Sequence, residues 1–308
     1  MASKRQPRTS KRPATRVRTP TRVERPLIVV TGFGRLGGAL ALGLRRSGWE
    51  VTVFPRSGES VRRAAALQFE LADHDALRAA EVCLLVVPEN AVAKVARLLQ
   101  ADISESAALV HCSGALDLEA FGSDPLTLRR PRGSFHPLSA VSDARDDLSG
   151  HAVALSASTR PLLTVLEQMA TDLGLFPIHV PEAKRAAYHA GAVLSAAGLV
   201  ALTSAATAAL AEAGIEEKTA LSALLPLMRS ALRGIERRGL ARALTGPLIR
   251  GDVSVIRANL KALPPDLAEL YRDLGLRALS LAAPQLPKET RAALEAVLAD
   301  QSKMIRGP

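Results

Sequence analysis

Gly32-Phe33-Gly34-Arg35-Leu36-Gly37 sets three glycines at G-x-G-x-x-G spacing. The apolar run 27–31 precedes it, and a helical pattern at 35–46 and a second β-rich run at 50–54 follow. In that context the spacing predicts a turn built for a dinucleotide's phosphates. The first glycine permits the tight turn, the second lets backbone approach a pyrophosphate, and the third lets helix and strand pack closely. The helix N-terminus adds free N–H groups and partial positive charge. All six residues are expected to bind cofactor.

The end of the second β-run bears on which dinucleotide. An NAD-type site places Asp or Glu there for the ribose 2′-hydroxyl, but Phe54 is followed by Pro55-Arg56-Ser57-Gly58, with no acid until Glu59. Arg56 and Ser57 suit a 2′-phosphate, because arginine offers a fork of donors and a fixed charge. The expected cofactor is therefore NADP. A solvated loop arginine is the plainer reading of Arg56, and Arg62 and Arg63 are candidate helpers on the next helix. Pro88-Glu89-Asn90 and Ser113-Gly114 each follow a strand candidate at its carboxyl end, where open α/β sheets bind ligands. Pro88, Asn90 and Ser113 are expected near the nicotinamide.

Groups suited to proton transfer lie further on. His136 leaves an extended segment held by Pro137, and an imidazole titrates near neutral pH. A backbone-bonded structural histidine is the alternative. Tyr188 and His189 open a long helical pattern in which Tyr188, Gly191, Ser195, Gly198 and Leu202 share one face. Small residues there admit a ligand or a closely packed helix. Thr245-Gly246-Pro247-Leu248-Ile249-Arg250-Gly251-Asp252 is a shaped loop. Arg250 is a candidate holder of a substrate carboxylate, and Asp252 is expected to cap the next helix as well as line the substrate site. The six histidines show no H-x-x-x-H and the two cysteines no C-x-x-C, so no metal site is expected. Nor is there a G-x-S-x-G nucleophile elbow.

These groups need a scaffold. The chain has 308 residues, 48% hydrophobic and only 3% aromatic, as suits a soluble, helix-rich protein. β-rich runs at 27–31, 50–54, 82–87, 109–112, 152–155 and 176–180 alternate with helical patterns at 35–46, 60–68, 91–99 and 160–173. That alternation predicts an α/β fold with a mostly parallel, doubly wound sheet covered on both faces. Beyond 181 the β signals stop, and helices are expected at about 182–212, 216–238, 252–262, 266–282 and 287–300. The expected organisation is a basic tail (1–25), a nucleotide-binding domain (26–181) and a helical substrate and dimerisation domain (182–308).

Charge is uneven. Residues 1–25 hold nine Lys/Arg against Glu24, and the remainder holds 31 basic and 29 acidic residues. The tail reads as a disordered, solvated extension. Contact with nucleic acid or anionic lipid is the alternative, and without an apolar core the tail does not read as a signal peptide. The uncharged stretch 190–211 is mostly Ala, Gly, Ser and Thr, which drive membrane insertion poorly, so it reads as a buried helix. Cys83 and Cys112 sit in apolar runs, which points to buried thiols and a reducing cytoplasm.

The succession GFGRLGGAL, VPENAV, HCSGAL, GSFHPL, YHAGAVLSAAGLVAL and LTGPLIRGD resembles one family closely over about residues 26–300. It is the Rossmann-like group described as NADP-dependent oxidoreductases with a C-terminal helical domain of unknown function, distantly similar to pyrroline-5-carboxylate reductase and the β-hydroxyacid dehydrogenases. The resemblance implies an active site in the cleft between the two domains, a loop bearing Arg250 that faces that cleft, and frequent homodimers. Some relatives look like reductases of 2-keto acids such as ketopantoate. The family's central helix usually carries an Asn where Ala197 stands. Dehydrogenase relatives often use a Lys-x-x-x-Asn pair on that helix, at places held here by Val193 and Ala197.

The expected function is reduction of a small carbonyl or imine by NADPH, with His136 or His189 as acid, Ser113 and Tyr188 polarising the substrate oxygen, and Arg250 holding an anion. A non-catalytic NADP-binding sensor or scaffold is the alternative.

Overall fold

The computed structural model describes residues 25–299, in two compact units that divide between Ala192 and Val193. Residues 1–24, with the expected disorder and any nucleic-acid contact, lie outside the described residues, as do 300–308.

The first unit is a seven-stranded sheet. In chain order its elements are β1 (Ile28–Thr31), α1 (Arg35–Arg46), β2 (Val51–Phe54), α2 (Gly58–Ala66), α3 (His74–Ala79), β3 (Val82–Leu85), α4 (Val92–Leu99), β4 (Ala108–His111), α5 (Pro125–Arg129), β5 (Arg132–Pro137), β6 (Ala152–Ala157), α6 (Arg160–Asp172) and β7 (Phe176–His179). The strand order is β2-β1-β3-β4-β5-β6-β7. Strand β1 has β2 on one side and β3 on the other, both parallel, so the order reverses at β1. β4 and β5 continue the parallel run, β6 turns antiparallel to β5, and β7 pairs parallel with β6.

Strand alternation divides the core between two faces. Ile28, Val30, Leu84 and Val110 join the cluster that includes the inner faces of α1 and α6. Val29, Cys83, Leu85 and Leu109 join the cluster made by α4 and Phe121. Every residue of β1, β3 and β4 is buried, which is why these runs are apolar without a break. Both thiols are buried, and burial pushes each up to about 12, so they are inert apolar residues.

One polar knot ties three parts of this unit together. Asp172, at the end of α6, accepts from Trp49 Nε1 and from Arg25 Nη2, each at 2.9 Å on Oδ2. Gln168 donates to Oδ1 at 2.9 Å, and Ser47 donates to the Asp172 carbonyl at 2.7 Å. Arg25, the last residue of the expected tail, also stacks over Trp49 with Cζ 5.7 Å from the ring centre.

The helices continue as α7 (Arg185–Ser195) and α8 (Ala197–Ala211), then α9 (Glu217–Arg238), α10 (Leu240–Ala243), α11 (Pro247–Arg250), α12 (Val253–Ala262), α13 (Pro265–Ala282) and α14 (Lys288–Ala299). Ile256, Leu279, Leu294 and Leu298 form the core shared by α12, α13 and α14.

Three expectations change. The segment before His136 is a full strand, β5, which its short apolar content conceals. The long helix expected over 182–212 opens with a 3₁₀ turn (Glu182–Lys184) and breaks at Ala196 (φ −94°, ψ −72°), interrupting the small-residue face from Tyr188 to Leu202. The stretch 190–211, read as buried, is exposed: Leu194 is 75% and Val200 70% accessible. The helical stretch Glu182–Ala211 is long and apolar enough to cross a membrane, with a mean hydropathy of 1.8 over an 18-residue window.

Asp172→Ala removes the acceptor of a buried indole N–H and an arginine. The variant is expected to lose about 1–3 kcal/mol of stability, read from thermal unfolding followed by the fluorescence of the single tryptophan.

Candidate functional site

The glycine turn is built by close approach. A Cβ on Gly32 would overlap the Val86 carbonyl oxygen just after β3, and Gly32 has φ +91°, which L side chains rarely adopt. A Cβ on Gly37 would overlap the Gly32 carbonyl oxygen. At Gly34, by contrast, a Cβ would meet nothing within 4 Å. The two tight positions set α1 against the β1–β3 crevice, and the open one leaves backbone bare over it. Helix α1 starts at Arg35 with no side-chain cap and no acid in its first turn, so its leading N–H groups have no capping oxygen or carboxylate beside them. Phe33 is buried against Phe69 at 5.3 Å between ring centres and so serves the core. This cradle fits a pyrophosphate.

The corner after β2 is more mixed. Ser57 caps α2, its Oγ accepting from Ser60 N at 3.2 Å. Arg63 donates to the Phe33 carbonyl at 2.9 Å and to Glu59 at 2.6 Å, so it braces the glycine turn from outside. Arg56 and Arg62 are exposed, and among the described residues no carboxylate pairs with either. An accessible, uncommitted arginine there suits a 2′-phosphate.

The second cluster centres on Gly114, past the carboxyl end of β4. A Cβ on Gly114 would lie 2.7 Å from His136 Cε1, 2.9 Å from His136 Nε2 and 2.7 Å from His189 Nδ1. Only glycine lets both imidazoles close on that point. His136 Nδ1 lies 2.8 Å from the Tyr188 hydroxyl, with the rings edge to face at 89°. His136 and His189 ring centres are 6.1 Å apart. His189 Nδ1 is buried with no hydrogen-bond partner among the described residues. Such an orphan in a native fold asks for a ligand or water. The three groups meet because His136 stands near the carboxyl end of β5 while Tyr188 and His189 follow one another on α7.

Burial, aided by the charges of His189, Arg185 and His111, pushes His136 down to about 4, and Glu89 opposes the shift. Burial and then Arg185 bring His111 to about 4 as well. His111 Nδ1 accepts from Ser113 N at 3.2 Å, and its Nε2 lies 3.1 Å from the Asp117 carbonyl. It is thus a neutral histidine wholly engaged with backbone. Burial raises the Tyr188 hydroxyl.

Ser113 is committed elsewhere. Its hydroxyl donates to Glu89 and accepts from Ala115 N at 3.1 Å and Leu116 N at 3.2 Å. It shapes the loop after β4 and ties it to the loop after β3, where Pro88 and Asn90 are exposed. In the second unit Arg250 is exposed and donates from Nε to Asp252 at 2.8 Å. Asp252 makes no side-chain cap on α12, contrary to expectation, because its carboxylate faces Arg250.

Arg185 escaped the sequence reading. It is 1% accessible, donates to Ser134 and Ser156, and pairs with Glu182 at 3.3 Å. The available signal was its place three and four residues before Tyr188 and His189, one face of a single helix.

Residues 23–117 match the NADPH-binding domain of acetohydroxy acid isomeroreductase, and residues 151–278 match a domain of unknown function, DUF2520. No curated protein matches the chain by sequence. A Bacteroides fragilis protein provisionally assigned as an NADP oxidoreductase is 25% identical over 83% of this chain and 99% of its own, with a TM-score of 0.68. An NADH-preferring ketol-acid reductoisomerase from an uncultured archaeon is 16% identical over 88% of this chain and 92% of its own, with a TM-score of 0.62. The pyrroline-5-carboxylate reductase of Streptococcus pyogenes is 16% identical over 88% of this chain and 99% of its own, with a TM-score of 0.57. The chain therefore has the fold of the Rossmann-type oxidoreductases, with a nucleotide-binding half of the NADPH-binding type, followed by a helical region.

Substituting the glycines separates packing from binding. Gly37→Ala forces a methyl onto the Gly32 carbonyl and is expected to cost about 3 kcal/mol in chemical unfolding. Gly34→Ala points into open space and is expected to change stability by less than about 0.5 kcal/mol. The same methyl is expected to weaken coenzyme binding about tenfold or more by calorimetry.

Proposed function

We propose that the chain is an NADP-dependent reductase of a small carbonyl or imine compound, with 2-keto acids among the candidates. The observation that carries this reading is the buried, unpartnered Nδ1 of His189 beside His136 Nε2 on one side of Gly114. That point lies at the carboxyl edge of the parallel strands, where sheets of this type receive their coenzyme. NADPH, when bound, supplies the hydride.

The chain's own groups do the rest. The Gly32–Gly37 turn and the first N–H groups of α1 hold the pyrophosphate, Arg56 takes the 2′-phosphate beside the Ser57 cap of α2, and Pro88 and Asn90 flank the nicotinamide half. Tyr188 fixes the His136 ring through Nδ1. That leaves Nε2 to donate a hydrogen bond to the substrate oxygen or nitrogen. Held near 4, His136 is neutral at pH 7 and polarises the substrate without protonating it. His189 Nδ1 gives the proton that the oxygen or nitrogen takes as the carbon accepts the hydride. Ser113 keeps Glu89 in place, and in the second unit Arg250, oriented by Asp252, is an exposed guanidinium suited to a carboxylate. A cytoplasmic location belongs to the same reading. A protein that only held NADP would have no use for two imidazoles converging past β4, so the sensor alternative is not favoured.

A homodimer also fits. Helices α8 and α9 border an apolar trough of about 720 Å³, lined by Leu199, Val200, Leu225, Met228 and Leu232 among others. Val200, Leu225 and Leu232 are exposed along it, as fits a covered apolar face, and Glu217 and Arg229 on the same lining give a two-fold partner its charge complement.

Loss of NADPH absorbance, screened against 2-keto acids and cyclic imines, is expected to reveal a substrate. His189→Gln should then lower kcat roughly 10²–10⁴-fold with NADPH affinity within about twofold. Arg56→Ala should weaken NADPH about tenfold and leave NADH unchanged. No affinity for either coenzyme would overturn the reading. NADPH binding without turnover of any carbonyl or imine would favour the sensor. For the dimer, light scattering is expected to give twice the 32.5 kDa chain mass, and Val200→Glu should halve it; a monomer at micromolar concentration removes the proposal.

A further inference from the structure

Arg185 is the largest side chain in the fold that is fully buried, and it is a cation. Its Nη2 donates to Ser156 at 2.9 Å and also to Ser134, the register partner of Ser156 across β5 and β6. Its Nε pairs with Glu182 at 3.3 Å, and its Nη1 is buried without a partner among the described residues. Burying a guanidinium against two hydroxyls and one half-exposed carboxylate costs more than packing alone justifies. Ser134 and His136 lie on the same face of β5, two residues apart, while Arg185 and Tyr188 lie on the same face of α7, three residues apart. The two contacts are therefore rungs of one ladder between strand and helix.

We propose that Arg185 is a positioning residue for the His136–Tyr188 pair: its fork pins the first turn of α7 to β5 and β6, and its buried cation acts on the His136 imidazole. The catalytic part of this inference rests on the reductase reading; the charge relation does not. The groups facing His136 are Tyr188, His189 and Arg185 from α7, His111 from β4 and Glu89 from the turn after β3. Of these, Arg185 alone is a permanent cation. It also acts on His111, the other imidazole brought to about 4.

Two variants separate the roles. Arg185→Gln keeps a donor amide for the serines and removes the charge. Arg185→Lys keeps the charge and removes the fork. The direct readout is the histidine titration by NMR of the apo protein, with the His136 signal assigned from His136→Asn. In Arg185→Gln the His136 midpoint is expected to rise by roughly one unit, and in Arg185→Lys to stay within about 0.3 unit of wild type. In Arg185→Lys kcat should still fall about tenfold or more with NADPH affinity unchanged, since Tyr188 loses its anchor. A His136 midpoint that is the same in folded Arg185→Gln and wild type overturns the proposal. So does an Arg185→Lys protein whose midpoint rises; that arm decides alone if the Gln variant does not fold. Wild-type protein that turns over no substrate leaves the titration result standing, which separates the failure of this inference from failure of the reductase reading.

Discussion

The turn after β1 and the first turn of α1 meet with no side chain between them. Gly37 sits so close to the Gly32 carbonyl, and Gly32 to the Val86 carbonyl, that a single methyl at either place has nowhere to go. That backbone contact fixes how low α1 lies over the crevice between β1 and β3. It also leaves Gly34 bare beside the uncapped end of α1. Arg63 reinforces the arrangement by holding the Phe33 carbonyl from α2. A phosphate cradle is thus a by-product of packing: the same absence of side chains that lets helix and strand touch exposes the donors.

Gly114 repeats the logic past β4. Removing one Cβ there admits His136 and His189 to a common point, and the Ser113–Glu89 contact carries the loop after β3 to the same place. Backbone bareness at Gly34 and Gly114 defines two stations on one sheet edge, the first suited to anionic oxygens and the second to a proton-bearing centre.

Most of the scaffold was legible because buried parallel strands must be apolar throughout, as β1, β3 and β4 are. Strand β5 was not, because Arg132, Gly133, Ser134 and His136 give it little apolar content, and its hydroxyl and imidazole serve Arg185 and Tyr188. The break at Ala196 carries no proline or glycine at its centre, so no local rule marks it. In the site, the glycine turn was legible from spacing, and His136, Tyr188 and His189 were named and are found together. What single residue types could not disclose was their bonding. Ser113 is occupied by Glu89, Ser57 by a helix cap, and Asp252 by Arg250, because short polar side chains take the nearest partner their backbone offers.

The reversal at β6 has a topological price and a mechanical return. Had β6 and β7 run with their neighbours, the chain would leave the sheet at the edge that carries the glycine loops, and the next helix would descend away from them. Because both run the other way, the exit falls at the far edge and α7 must climb back alongside β5, meeting Ser134 with its first residue and His136 one turn later. Two strands of opposite polarity thereby work as a hairpin bend in the path, delivering Tyr188 and His189 from the chain's second half to an edge assembled by its first.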